Sequence, residues 1–367
     1  MSDSIVDNTL KQSVDATPAM PMITVAICSF NGAGKIGAAL AALGAQTGEV
    51  SFEVVVVDDG STDDTADVAE RAGATVVRLD ENRGRGFALQ EAIKAARGAI
   101  LAMTDDDCLP LPNWIESLAE EWARAPESVT VIGGSVRPLA TDTFNRRYVD
   151  FRKPLCAQEL GGNGDTGLVP RLRRALFPPP ARTGRRPVLS TAGANMSLRL
   201  SAVREAGGFD PAIHFGGEEE TLCRHLREAF GPDTVLFVPE IEMIHNFRPN
   251  LGDSLRRSHA YGRSHGQRWR REGGIPTVQP IPFLIAGIAL ALLAWRPKLG
   301  ALVAAFLPAL LYRGWLDRCK ASTSLEPVLY PYVRLLEDVA GEAGFLAGLR
   351  DEQAVLDRGP ARLTSTS

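Results

Sequence analysis

Four short apolar runs, Ile23–Cys28, Phe52–Val57, Ala74–Arg78 and Ala99–Thr104, recur in the first hundred or so residues, with stretches of helical periodicity between them. Their β-branched content predicts strands, and Lys35–Leu43, Thr65–Ala72 and Phe87–Arg97 read as the intervening helices. The run Val54–Val57 has no polar alternation, as expected of a strand buried on both faces of a parallel sheet. Strand and helix alternating at this rhythm predict an α/β fold with a mostly parallel central sheet flanked by helices. Later in the chain, Trp114–Trp122, Ser201–Ala206 and Glu218–Phe230 read as helices, and Val129–Val136 and Thr234–Val238 as strands. From Arg137 to Pro187 the periodicity breaks down around a glycine cluster at 161–164 and three prolines at 178–180. That stretch predicts a mobile functional loop, with some helix around Asp142–Arg152.

Polar chemistry collects where the strands end. The first run passes into Ser29-Phe30-Asn31-Gly32, the second into Asp58-Asp59, and the fourth into Asp105-Asp106-Asp107. Ligands of open α/β sheets gather at these carboxyl ends. Crowded carboxylates repel one another unless a cation sits between them, which points to a divalent ion, Mg²⁺ or Mn²⁺. A plain acidic turn before the Trp114 helix explains the same residues without a ligand. Asp58 or Asp59 can accept hydrogen bonds from a ribose or a base, and Arg83 and Arg85, beside glycines, can approach a diphosphate. Lys35 follows Gly34, but the phosphate-loop spacing GxxxxGK[ST] is absent.

Composition changes after Gly274. Ile281–Trp295 and Leu299–Leu311 are uncharged and apolar, parted by Arg296-Pro297-Lys298. Each is shorter than the roughly 20 residues that cross a bilayer, so they read either as core helices or as a tight hairpin with interfacial Trp295, Tyr312 and Trp315. The hairpin, over 276–320, is the expected membrane anchor; Arg313, Arg318 and Lys320 put its flanks in the cytoplasm. Leu325–Leu349 reads as an amphipathic helix within a final segment 321–367 that ends in a disordered tail. The polar stretch Met1–Pro21 reads as a disordered lead without signal-peptide features. Arg256–Trp269 is a basic, aromatic-bearing helix or loop able to cover a diphosphate. The net charge of −4 over 367 residues argues against nucleic acid as a partner. Five cysteines without CxxC spacing read as reduced thiols, with neither a disulfide framework nor a zinc site.

The ordered elements ITVAICSFNG, VVVVDDGSTDDT, ENRGRGFALQEAI, MTDDDC, GANMSLR and GGFD…GGEEETLCRHL resemble the inverting glycosyltransferase family 2 with the GT-A fold, over about residues 22–250. The resemblance implies a catalytic domain over 22–275, with a donor half to 136 and an acceptor half beyond. It implies a nucleotide-diphosphate sugar donor, a divalent cation at a DxD-like motif, and a lipid-linked or polysaccharide acceptor. Carried over by position, Asp58 and Asp59 contact the base and ribose, Ser29, Phe30 and Asn31 close the base pocket, and Arg83 or Arg85 lies near it. Asp105 and Asp107 match the outer carboxylates of DxD, with Asp107 the direct metal ligand, Asp105 nearer the ribose and Asp106 a bystander. Gly193, Ala194 and Asn195 leave room for the sugar ring, and His245 approaches the metal or diphosphate. The general base of the family is an Asp before TxL; the alignment puts Glu219 there, one methylene longer, with Glu218 and Glu220 as neighbouring candidates. That departure also keeps open a catalytically inactive GT-A-like subunit that scaffolds a membrane complex. A pyrophosphorylase-like nucleotidyltransferase would need a longer Gly-rich, Lys-bearing loop than Ser29–Gly34.

Overall fold

The computed structural model describes residues 22–159, 182–273, 279–312, 314–321 and 324–351. The lead at 1–21, the centre of the irregular stretch 137–187 and the end of the tail lie outside the described residues. The chain divides into two compact units, one built from Met1–Asp142, Arg152–Leu160 and Arg182–Phe247, the other from Thr143–Phe151, Gly161–Ala181 and Arg248–Ser367.

The first unit is a three-layer α/β structure. Strands β1 (Ile23–Ser29), β2 (Phe52–Asp58), β3 (Thr75–Arg78) and β4 (Ile100–Asp105) pair in parallel, in the order β3-β2-β1-β4. Helices α1 (Ala33–Gly44), α2 (Thr65–Arg71) and α3 (Arg85–Ala95) connect them. Side chains alternate across each strand, so Val25 and Ile27 feed one core with Leu40 of α1 and with Trp114 and Leu118 of α4 (Trp114–Arg124). Ala26, Val55 and Met103 feed the other core with Leu89 of α3 and Leu226 of α7 (Glu218–Phe230), a helix that follows the short α6 (Leu200–Glu205).

Beyond β4 the sheet is mixed rather than mostly parallel. Strand β9 (Met196–Arg199) inserts antiparallel between β4 and β6 (Val131–Pro138), and β6 then pairs in parallel with β10 (Val235–His245). Strand β10 runs through Pro239 where the sequence predicts an end at Val238. A register shift between Phe237 and Glu242 absorbs the proline, whose missing N–H is not needed in a bulge, and the Ser135 hydroxyl donates to its carbonyl (2.7 Å). The short β5 (Cys108–Pro110) pairs antiparallel with the end of β10. On the other side of β10 lie β8 (Arg186–Ser190) and β7 (Gln158–Glu159).

The second unit is helical: α5 (Phe144–Arg152, of which all but the last residue belongs here), α8 (Leu251–Glu272), α9 (Pro280–Trp295), α10 (Pro297–Leu311), α11 (Trp315–Ala321) and α12 (Tyr330–Arg350). Glycines let α8 and α12 approach closely: a methyl at Gly262, Gly266, Gly344 or Gly348 would strike the facing backbone. Gly300 does the same for α10 against α9 at Leu292 and Leu293. The two apolar runs thus form the helices α9 and α10, in close contact at Gly300, but Phe283, Leu290, Trp295, Leu302, Phe306 and Leu310 each stay more than half exposed. No single helix among the described residues is long and apolar enough to cross a membrane; α10 and α11 together pass as a bent pair by length and composition.

Candidate active site

Parallel register brings the polar strand ends together. Ser29 pairs with Asp58, and Cys28 pairs with Asp105, so the ends of β1, β2 and β4 lie side by side at one sheet edge. The two loops that follow β1 and β2 hold each other. Asn31 adopts a positive φ of 51°, which Asn tolerates better than most residues, and its amide oxygen accepts from the Thr62 N–H (2.9 Å). In return the Asn31 N–H donates to Ser61 Oγ (2.9 Å), the Gly32 N–H to Thr65 Oγ1 (2.8 Å), and the Asp59 N–H to the Ser29 carbonyl (2.9 Å). Phe30 is left exposed at the tip.

Asp58 and Asp59 are buried, and much of their hydrogen-bonding capacity is spent on loops. Asp58 Oδ1 accepts from the Ser61 N–H (3.0 Å). Asp59 accepts from the N–H groups of Arg83 (2.8 Å) and Gly84 (2.9 Å), which fixes the loop leading into α3. Burial pushes the Asp59 pKa up, although those two N–H groups pull it down. The visible work of both acids is to shape the edge of the site.

The same loop separates the two arginines. The Arg83 guanidinium stacks over the Phe87 ring, 4.1 Å from its centroid. Arg85 turns into the cluster of acids instead: Nη1 lies 2.6 Å from Asp105 Oδ1, Nε 3.2 Å from Glu218 Oε1, and Nη2 3.6 Å from Glu219 Oε1. Its own backbone is pinned by donation from the Arg85 N–H to His214 O (2.8 Å) and from the Gly86 N–H to Ile213 O (3.0 Å). The sequence places Arg85 near a base pocket; the fold makes it the hub between β4 and the start of α7.

The three glutamates of α7 take three environments. Glu220 accepts from Gln158 Nε2 on the exposed side. Glu218 is buried, 1% exposed, against Arg85. Glu219 keeps a 17% exposed side chain, and burial together with the Glu218 charge pushes its pKa up to about 8, Arg85 offsetting part of the rise. Such a carboxyl is poised to exchange a proton near neutral pH. Gly193 makes room for it: a methyl there would overlap Glu219 Oε1 and stand 2.9 Å from its carboxyl carbon.

Two residues depart from their expected parts. Asp106 is no bystander, because its carboxylate is buried and accepts from Ser29 Oγ (2.6 Å) and Lys35 Nζ (2.8 Å). It bolts the β1 turn to the β4 turn. Asn195, expected to leave room for a sugar ring, has its own amide tied into the core. It is 1% exposed, its Oδ1 accepts from Trp114 Nε1 (2.9 Å), and its Nδ2 donates to the carbonyls of Ser135 (2.9 Å) and Ile241 (2.8 Å). A buried amide is costly unless its polar atoms are matched, and these partners match them.

Asp105, Asp107, Cys108 and His245 form one group, whose ligand atoms all lie within 4.8 Å of one another. Donors about 2.0–2.6 Å from a common ion have separations of that order, so the set fits a divalent cation. His245 Nε2 is 3.3 Å from Asp107 Oδ1, and the ring stacks on Phe247 at 4.1 Å. The pairing of β5 with β10 sets Cys108 opposite His245, and the Asn246 N–H donates to the Asp107 carbonyl (2.9 Å). The sequence alone missed Cys108; its place directly after Asp107, before a predicted turn, is the only signal it carries.

The chain is similar to known proteins in sequence and in fold. Residues 24–190 match the family described as glycosyl transferase family 2. The chain is 26% identical over 261 residues to the glycosyltransferase AglE of Haloferax volcanii, covering 69% of this chain and 76% of AglE. It is 27% identical over 197 residues to the glucosyl-dolichyl phosphate glucuronosyltransferase of the same organism, covering 51% of this chain and 56% of that one. The chain thus spans three quarters of the first relative's length and little more than half of the second's. Among solved structures, the mannosyltransferase PcManGT from Pyrobaculum calidifontis, in complex with GDP-Man and Mn²⁺, superposes with a TM-score of 0.54 at 22% identity, over 94% of this chain and 92% of that one. The GT-A fold is shared.

Proposed function

We propose, from the match of residues 24–190 to glycosyl transferase family 2, that this chain carries out a metal-dependent, inverting transfer of a sugar from a nucleotide-diphosphate donor to a lipid-linked or polysaccharide acceptor at the cytoplasmic face of the cell membrane. The observation that carries the reading is the Arg85 bridge, which brings the end of β4 at Asp105 to Glu218 and Glu219 within one acidic cluster. Three carboxylates around one guanidinium, with Asp107 beside them, favour a further positive charge at the site. Asp105, Asp107 and His245 would hold that cation, which supplies charge to offset the negative charge growing on a leaving diphosphate.

Each side chain then has a task. The loops around Ser29, Phe30, Asn31, Asp58 and Asp59 bind the nucleoside, with exposed Phe30 available for stacking on the base. Glu219, partly exposed and of raised pKa, takes the proton of the acceptor hydroxyl as that oxygen attacks the anomeric carbon. The bond to the diphosphate breaks on the opposite face, which inverts the anomeric configuration. Glu218 is buried and holds Arg85 rather than the acceptor. The exposed apolar side chains of α9 and α10 support a membrane surface, and the relative named for transfer to a glucosyl-dolichyl phosphate supports a lipid-linked acceptor.

The test is incubation of the purified full chain with a panel of sugar nucleotides and Mn²⁺ or Mg²⁺, followed by NMR of the anomeric proton. Turnover of one donor with inverted product, lost in Asp107→Ala, is the expected result. A chain that binds no donor, and whose behaviour Asp107→Ala leaves untouched, sinks the proposal.

A further inference from the structure

A buried cysteine is usually one more apolar side chain, and Cys108 does belong to the core around Trp114 and Ile132. Its sulfur is nevertheless placed unlike a core atom. The ligand atoms of Cys108, Asp105, Asp107 and His245 lie within 4.8 Å of one another. The placement is rigid, because antiparallel pairing of β5 with β10 sets Cys108 directly opposite His245, and directly paired residues project to the same face. A donation from the Asn246 N–H to the Asp107 carbonyl (2.9 Å) ties down the residue on the other side.

We propose that Cys108 Sγ is a fourth protein donor to the cation, giving a site of two carboxylates, one imidazole and one thiolate that discriminates against Mg²⁺. This rests on the reading of Asp105, Asp107 and His245 as a cation site and extends it to metal preference. Two oxygens alone would leave the site open to Mg²⁺, which favours oxygen in an octahedral shell. Nitrogen and sulfur shift preference along the series toward Mn²⁺ weakly, and toward Co²⁺, Zn²⁺ and Cd²⁺ strongly. On coordination the thiol proton leaves to solvent, so the bond formed is metal to thiolate.

The experiment uses the full chain, the variants Cys108→Ser and Asp107→Asn, and the metals themselves as probes. Affinities for Mg²⁺, Mn²⁺ and Cd²⁺ are measured by calorimetry, and the ultraviolet thiolate-to-cadmium band is read as a difference between wild type and Cys108→Ser, which cancels the other four cysteines. Cys108→Ser is expected to lose the band and to weaken Cd²⁺ by at least about tenfold, with Mg²⁺ changed by less than about twofold. Equal Cd²⁺ affinity and an unchanged band overturn the thiolate assignment. If Asp107→Asn weakens every metal while Cys108→Ser weakens none, the cation site stands and the sulfur ligand falls; if Asp107→Asn changes nothing, the site reading falls with it. Zinc-edge X-ray absorption of the wild type with one equivalent bound tests the assignment without any variant: a sulfur shell at about 2.3 Å is expected, and a shell of oxygen and nitrogen alone refutes it.

Discussion

Gly193→Ala isolates the proposed base with one methyl group. The backbone at Gly193 is not in the left-handed region, so Ala adopts it without strain, and the nearest obstacle is the Glu219 carboxylate rather than main chain. The added Cβ would overlap Glu219 Oε1 and stand 2.9 Å from the carboxyl carbon and 3.0 Å from Arg85 Nη2. To regain an ordinary contact of 3.4 Å the carboxylate retreats by about 1 Å or more. A misplacement of that size costs on the order of 100-fold in rate when the displaced group takes part in the chemistry. Stability should move little, since replacing Gly by Ala stiffens the unfolded chain by about 0.4–1 kcal/mol in favour of folding and so offsets part of the local clash. The assay is kcat and KM for transfer with the matched donor, alongside calorimetric donor binding and thermal melting. A fall in kcat of about 100-fold with donor affinity within about threefold is expected. Glu219→Asp in the Gly193→Ala background shortens the acid by one methylene and should recover at least about tenfold. A kcat for Gly193→Ala within about threefold of wild type, or no recovery in the double variant, refutes the assignment of Glu219 and its space.

Four other outcomes follow from the same geometry. Burial and the neighbouring Glu218 raise the Glu219 pKa to about 8. A base acts only when deprotonated, so kcat should climb about tenfold per pH unit below that value and level off above it; a flat profile between about pH 6 and 9 contradicts the role. Glu219→Gln should abolish transfer and leave donor affinity unchanged by calorimetry, whereas an active variant moves the base elsewhere. Asp106→Ala removes the acceptor of both Ser29 Oγ and Lys35 Nζ. Lys35 is about a third exposed, and burial already pushes the Asp106 pKa up, so removing the carboxylate also removes its own desolvation cost and the loss, mainly from leaving buried Ser29 Oγ without its acceptor, is about 1–2 kcal/mol; this should read as a drop of about 2–4 °C in melting, and a loss under about 0.5 kcal/mol restores Asp106 to a bystander. Replacing exposed Leu302 and Phe306 by Asp should lower sedimentation of the full chain with anionic vesicles by at least about tenfold, and unchanged sedimentation excludes this face from the membrane.

Much of the first four-stranded part of the sheet was legible without coordinates because its signals are local. Apolar runs of strand length, broken by small or acidic residues and alternating with helical periods, specify β1 to β4 and bring Ser29, Asp58 and Asp105 to strand ends by register alone. The same local reading overextended the parallel pattern, because nothing in Met196–Arg199 announces that it runs antiparallel between β4 and β6. It also stopped β10 at a proline that a bulge accommodates.

The sequence by itself determined that acids would crowd the carboxyl ends of an α/β sheet and that a second acidic group would open the helix at Glu218. Which acids face which partners was decided only by tertiary structure, because that choice depends on contacts between residues tens to more than a hundred positions apart. Arg85 meets Asp105, Glu218 and Glu219, while Arg83, two residues earlier, stacks on Phe87. Asp106 meets Ser29 and Lys35 across the sheet edge, and Cys108 comes beside His245 through a three-residue strand. Periodicity records which side of an element is buried, and the packing of distant elements decides what each buried charge finds there.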